Sequence, residues 1–140
     1  MLQRDSFFRG LIAAPLFFLV SPVSSQDIPS IVFQCDTEKH PQICEALAAS
    51  LQQRQPGHGL AVVKPGDTRQ AALTIRYQEE KRSSHFVSGQ LVWQEPNGKP
   101  VTGPALEFSV MDSNVENVSL APFAQALIEV SELPILKPVD

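Results

Sequence analysis

The sequence predicts an α+β fold: a two-layer sandwich with two helices on one face of a four- to five-stranded, mostly antiparallel sheet. Three observations lead there. Two segments repeat apolar residues at helical spacing in a stripe only one face wide, and three segments between them alternate apolar with polar residues. The third is size: 140 residues, 43% apolar and 19% charged, make one folded domain rather than two domains or a disordered chain.

The elements follow in order. Ile31 to Gln34 is apolar and β-branched, a short buried strand. From Pro41 to Arg54 the residues Ile43, Leu47 and Leu51 recur every four positions, flanked by Ala46 and Ser50, so this stretch is a helix that starts at Pro41. Pro56-Gly57-His58-Gly59 stops it. Leu60 to Val63 is a second short strand, ended by Lys64-Pro65-Gly66-Asp67; strand, helix and strand in this order predict a crossover with the two strands parallel.

Leu73, Ile75 and Tyr77 share one face of a third strand, and Glu79-Glu80-Lys81-Arg82-Ser83-Ser84 reads as a solvated turn. Phe86 to Trp93 returns, with Val87, Gly89, Leu91 and Trp93 on one side. Asn97-Gly98 is a tight-turn pair, after which Leu106, Phe108 and Val110 alternate with Glu107 and Ser109. These three strands form an antiparallel meander with one wet face. Ser113 to Val118 reads as a polar connection. A second helix begins near Ser119, with Leu120, Phe123, Leu127 and Val130 in its stripe and Ala124 and Ile128 widening it, and Leu133-Pro134 ends it.

Residues 1–25 have the pattern of a cleaved secretory signal peptide. Arg4 and Arg9 precede the apolar run Leu11 to Val20, and Val23 and Ser25 are the small residues before a cut at Gln26. The run is about half the roughly 20 residues of a bilayer span, so no transmembrane anchor is expected to remain. The chain then divides into a polar lead at 26–30, a single domain at 31–133 and an extended tail at 134–140. Loss of Arg4, Arg9 and Asp5 leaves 9 basic and 14 acidic residues. That acidic balance does not fit a nucleic-acid partner held by bulk charge. The expected location is periplasmic or secreted.

In such an oxidising compartment, the only two cysteines, Cys35 and Cys44, are expected to form a disulfide. Closing a loop of about ten residues stabilises the fold by roughly 2.5–3 kcal/mol. An alternative is a metal site of Cys35, His40 and Cys44, with Asp36 and Glu38 as further donors. Pro41 argues against it, because it places His40 at or before the helix cap rather than stacked over Cys44.

No catalytic motif stands out. His58, between two glycines, reads as an exposed loop residue; His85 follows Ser83 and Ser84, but a catalytic dyad is assembled through the fold rather than by adjacency. No nucleophile elbow, paired-histidine zinc motif or phosphate loop is present. Tyr77 and Trp93, the sole tyrosine and tryptophan, fall on the inner face of the meander as core residues. Asn117-Val118-Ser119 fits a glycosylation acceptor, which matters only in a eukaryotic source.

The stretches Leu73-Thr74-Ile75, Val87-Ser88-Gly89-Gln90-Leu91, Asn97-Gly98-Lys99 and Leu106 to Val110, with the closing helix, carry a resemblance. Over residues 31–133 the chain resembles the small α/β domain of the TolB amino-terminal type, which also occurs in outer-membrane lipoproteins that activate penicillin-binding proteins. It lacks the lipid-attachment cysteine of the lipoproteins and the propeller that follows the TolB domain. The resemblance implies a non-catalytic docking module of the cell envelope whose partner is another envelope protein, with no cofactor. It transfers no particular residue. The alternatives are the metal-binding protein above, and a small secreted hydrolase or an inhibitor of one.

Overall fold

The computed structural model describes residues 29–134 and 136. The signal segment 1–25, most of the lead and most of the tail lie outside the described residues. Element order is β1 (Ile31–Gln34), α1 (Pro41–Arg54), β2 (Leu60–Val63), β3 (Leu73–Arg82), β4 (Phe86–Gln94), β5 (Val101–Thr102), β6 (Leu106–Ser109), a turn of 3₁₀ helix (Val115–Asn117) and α2 (Ala121–Ser131). The fold is α+β, with two helices and an open mixed sheet of order β2-β1-β3-β4-β5, to which β6 is added beside β4. Among the described residues, no helix is long and apolar enough to cross a membrane.

Helix α1 has Pro41 in its first turn and buries Ile43, Cys44, Leu47 and Leu51. Helix α2 has Pro122 in its first turn and ends at Glu132, whose φ of 53° is left-handed; it buries Phe123, Ala124, Leu127 and Ile128. Both stripes join Ile31, Phe33, Leu73, Ile75, Tyr77, Val87, Leu91 and Trp93 in one core, which puts the helices on one face of the sheet. Val130, expected in the α2 stripe, is exposed, and Ser131 is buried in its stead with its hydroxyl donating to the Leu127 carbonyl. Val115 is fully buried, so the connection before α2 plugs into the core instead of being polar throughout.

The crossover is parallel as expected, with Ile31 opposite Leu60 and Gln34 opposite Val63. Strand β3 is also parallel to β1, so β1 lies between two parallel neighbours. A chain leaving β2 must therefore return to the other end of the sheet and pass β1 before starting β3. Residues 64–72 make that return with no helix. Alternation sets Val32 and Gln34 on the face away from the helices. Val32 is fully buried yet outside the main core, and Gln34 Nε2 donates to the Asp67 carbonyl at 3.0 Å. The return segment thus covers part of the face expected to be wet.

Strand β3 continues to Arg82, through the stretch expected as a turn; the turn itself is Ser83 to His85. The β3–β4 ladder slips between Glu79, opposite Gly89, and Lys81, opposite Ser88, leaving Glu80 as the bulged residue. The third meander strand comes in two pieces. β5 pairs with β4 at Val92 and Trp93, β6 pairs with it at Phe86 to Gly89, and Gly103-Pro104-Ala105 separates them.

Candidate functional site

Cys35 and Cys44 form a disulfide with Cα atoms 5.8 Å apart, both buried at the junction of β1 and α1. With both sulfurs bonded to each other, the alternative metal set Cys35, His40 and Cys44 loses two of its three donors. Asp36 is also engaged, its Oδ1 accepting from the backbone N–H groups of Glu38 and Lys39. His40 is the residue before the first turn of α1 and makes no side-chain cap.

The bulge gathers the densest set of polar side chains. In a regular strand, residues 79 and 82 would face opposite sides. One extra residue turns Arg82 to the side of Glu79, and its Nε and Nη2 donate to the two carboxylate oxygens, both at 2.9 Å. The Tyr77 hydroxyl donates to Glu79 Oε1 at 3.0 Å. His40 Nδ1 lies 3.4 Å from Glu79 Oε2, within ion-pair range but out of line for a hydrogen bond, so this buried nitrogen has no partner among the described residues. Gly89 makes room: a Cβ there would stand 2.6 Å from the Tyr77 ring and 2.9 Å from the Gln78 carbonyl.

Burial pushes the Tyr77 phenol well up from its usual range, and the charge and hydrogen bond of Glu79 push it further, so it stays a donor. The Glu79 hydrogen bond likewise holds the Arg82 guanidinium higher. Glu79 accepts from both side chains and is ion-paired with Arg82. A cleft of about 350 Å³ adjoins the cluster, lined by Lys39, Gln42, Glu116 and Asn117 besides His40 and Arg82. Its lining holds no serine, threonine or cysteine. The cluster's hydrogen bonds all lie within β3; the hairpin end is tied to α1 indirectly, the Val115 N–H donating to the Ser84 carbonyl and Gln42 Nε2 donating to the Glu116 carbonyl.

The other histidines diverge from each other. His85 is exposed, with Nδ1 3.1 Å from the Ser113 carbonyl, and its backbone N–H donates to Ser83 Oγ. His58 is 7% exposed, not the open loop residue expected: its N–H donates to the Gln55 carbonyl, and the His58 carbonyl accepts from Gln52 Nε2. Its Nδ1 is buried without a partner among the described residues. Tyr77 and Trp93 are core residues as expected.

The sheet edges differ more than any pair of clusters. At one edge, the Ile31 N–H donates to the Gly59 carbonyl and the Cys35 N–H to the Val63 carbonyl, each at 3.0 Å. Residues 59, 61 and 63 therefore turn their peptide groups to β1, and Leu60 and Val62 turn theirs outward. Val62 is 42% exposed, and Leu60–Val63 carries no charge. At the other edge, β5 and β6 are separated by Gly103-Pro104-Ala105, and β6 carries Glu107. Gly103 is locked in place, its N–H donating to the Leu91 carbonyl at 2.8 Å.

Nothing in local sequence announced these features, because the bulge and the edges depend on which strands become neighbours. Compared with protein-family models and with curated proteins, the chain matches none.

Proposed function

We propose that this is a small exported protein of the periplasm or the extracellular space that performs no chemistry and docks another envelope protein. The observation that carries the reading is the contrast between its sheet edges. Long, uncharged edges invite strand pairing, and proteins ordinarily blunt them with breaks, prolines and charges. The β5/β6 edge has all three, whereas β2, though only four residues long, has none of them before Lys64-Pro65 at its end. The leader pattern and the disulfide support the compartment.

The test has two parts. Protein recovered from the envelope should start at Gln26 and weigh less than the dithiol by the hydrogens lost on oxidation. Photoreactive residues placed in intact cells at exposed positions around the domain, such as Val62 on β2 and Gln125 on α2, should give one discrete adduct from one contiguous patch. Turnover of a substrate by the purified protein, abolished by changing one polar residue, would overturn the reading. So would adducts from no position.

A further inference from the structure

We infer that the β2 edge, Leu60–Val63, takes up a single extended, uncharged peptide segment of the partner, with apolar residues at alternate positions. The inference rests on the docking reading above and names the surface and the occupant. Among the described residues nothing bonds the outward peptide groups of Leu60 and Val62, which present two N–H donors and two carbonyl acceptors spaced two residues apart, as an incoming strand requires. Leu60 and Val62 are in register with Ile31 and Phe33, so their side chains lie on the helix side, where Val62 is left 42% exposed. An arriving strand would cover that surface with every second side chain. Those residues should be apolar, because a charge there would be desolvated against valine and leucine. Lys64-Pro65 closes the far end.

A second copy of this chain is a poor occupant. Stable association buries about 800 Å² on each partner, drawn from some 20–30 residues a side, and this edge has four. Antiparallel pairing about a two-fold axis at Val62 would also set the Lys64 ammonium of each copy beside Leu60 of the other. Two copies of the cleaved chain, each with 9 basic and 14 acidic residues, repel one another besides. A short flexible segment avoids these costs and binds transiently.

The test uses isotope-labelled, oxidised protein and a capped synthetic peptide alternating valine with serine. On titration, the amide signals of Leu60 and Val62 should shift and gain protection from hydrogen exchange. Val62→Pro is the informative variant, because that N–H points away from β1: the ladder survives while one donor is replaced by a ring carbon. Binding should weaken roughly tenfold or more. Val62→Lys, which leaves the backbone intact, should weaken it as well. Shifts confined to Val101–Ser109, or shifts at no residue, would overturn the assignment. So would a dimer in sedimentation that Val62→Pro dissolves, which would make the occupant a second copy. Cellular adducts from a patch away from β2 would discard this edge and leave the docking reading standing; adducts from no patch would discard both.

Discussion

At one edge of the sheet, β2 is four unbroken residues with no charge; at the other, the strand is cut in two around Gly103-Pro104 and carries Glu107. The two edges belong to halves that are built differently. β2 is laid beside β1 by α1, in a parallel block in which the Cys35–Cys44 disulfide ties the end of β1 to the first turn of α1. The β5/β6 edge closes an antiparallel meander held by a long hairpin, a bulge and the Glu79–Arg82 pair. Protection is spent on the meander edge, while the covalent staple is placed where the open edge lies. The link between staple and edge is one hydrogen bond, from the Cys35 N–H to the Val63 carbonyl at the end of β2.

The largest test of this division removes the staple. Cys35→Ala with Cys44→Ala should lower stability by about 2.5–3 kcal/mol, read as a lower denaturant midpoint. Hydrogen exchange then gives the sharper result. The amides of β1 and β2 should lose protection before those of β3 and β4. Equal loss in both halves would show a single cooperative unit and break the comparison.

A smaller effect is expected from changing each edge in turn. In Gly103→Val the new Cβ would stand 2.9 Å from the Trp93 ring, 3.0 Å from Ser131 Oγ and 3.3 Å from the Leu91 carbonyl. Overpacking of that kind costs about 1–3 kcal/mol, and the single tryptophan should report it by a change in fluorescence. Val62→Lys, by contrast, places its new side chain in solvent and should change stability by no more than about 0.5 kcal/mol. If both variants lost the same stability, β2 would be part of the scaffold rather than a surface left open.

How much of this was legible depended on how local the determinant was. The bounds of α1, β1 and β2 could be read from the sequence, because Pro41, the four-residue apolar repeat and the Gly/Pro stops are local signals. Of the stretch Glu79 to Ser84, which reads as a turn on its charge, only Ser83 and Ser84 belong to the turn; Glu79-Glu80-Lys81-Arg82 contains none of Gly, Pro, Asn, Asp or Ser, the residues that make turns. That composition was the available signal for a longer strand. The bulge had no such signal, since it exists only relative to Gly89 on the neighbouring strand. The burial of His58 and Val115 came from tertiary contact, against the polar composition around each. The parallel pairing of β3 with β1, and hence the return segment that meets Gln34 at Asp67, follows from strand order, which no alternating pattern encodes.

The smallest expected effect concerns the seal of the meander half, and it is read through the only tyrosine in the chain. Burial first, then Glu79, raises the Tyr77 phenol in the folded state, while in the unfolded chain it ionises near its ordinary value of about 10. Below that pH both states hold the proton and no stability depends on it. Above it the unfolded state loses the proton and the folded state keeps it, so stability falls as pH rises. The slope approaches about 1.4 kcal/mol per pH unit. Tyr77→Phe should flatten that alkaline slope relative to the parent protein. Glu79 would keep both Arg82 hydrogen bonds, so the loss at neutral pH should be limited to one hydrogen bond, about 1 kcal/mol. In the parent protein, phenolate absorbance should appear only together with unfolding. Phenolate titrating near pH 10 in protein that is still folded would mean that the end of the hairpin opens to water. The meander would then be the looser half, and the guarded edge would owe its protection to that mobility rather than to its place in a rigid scaffold.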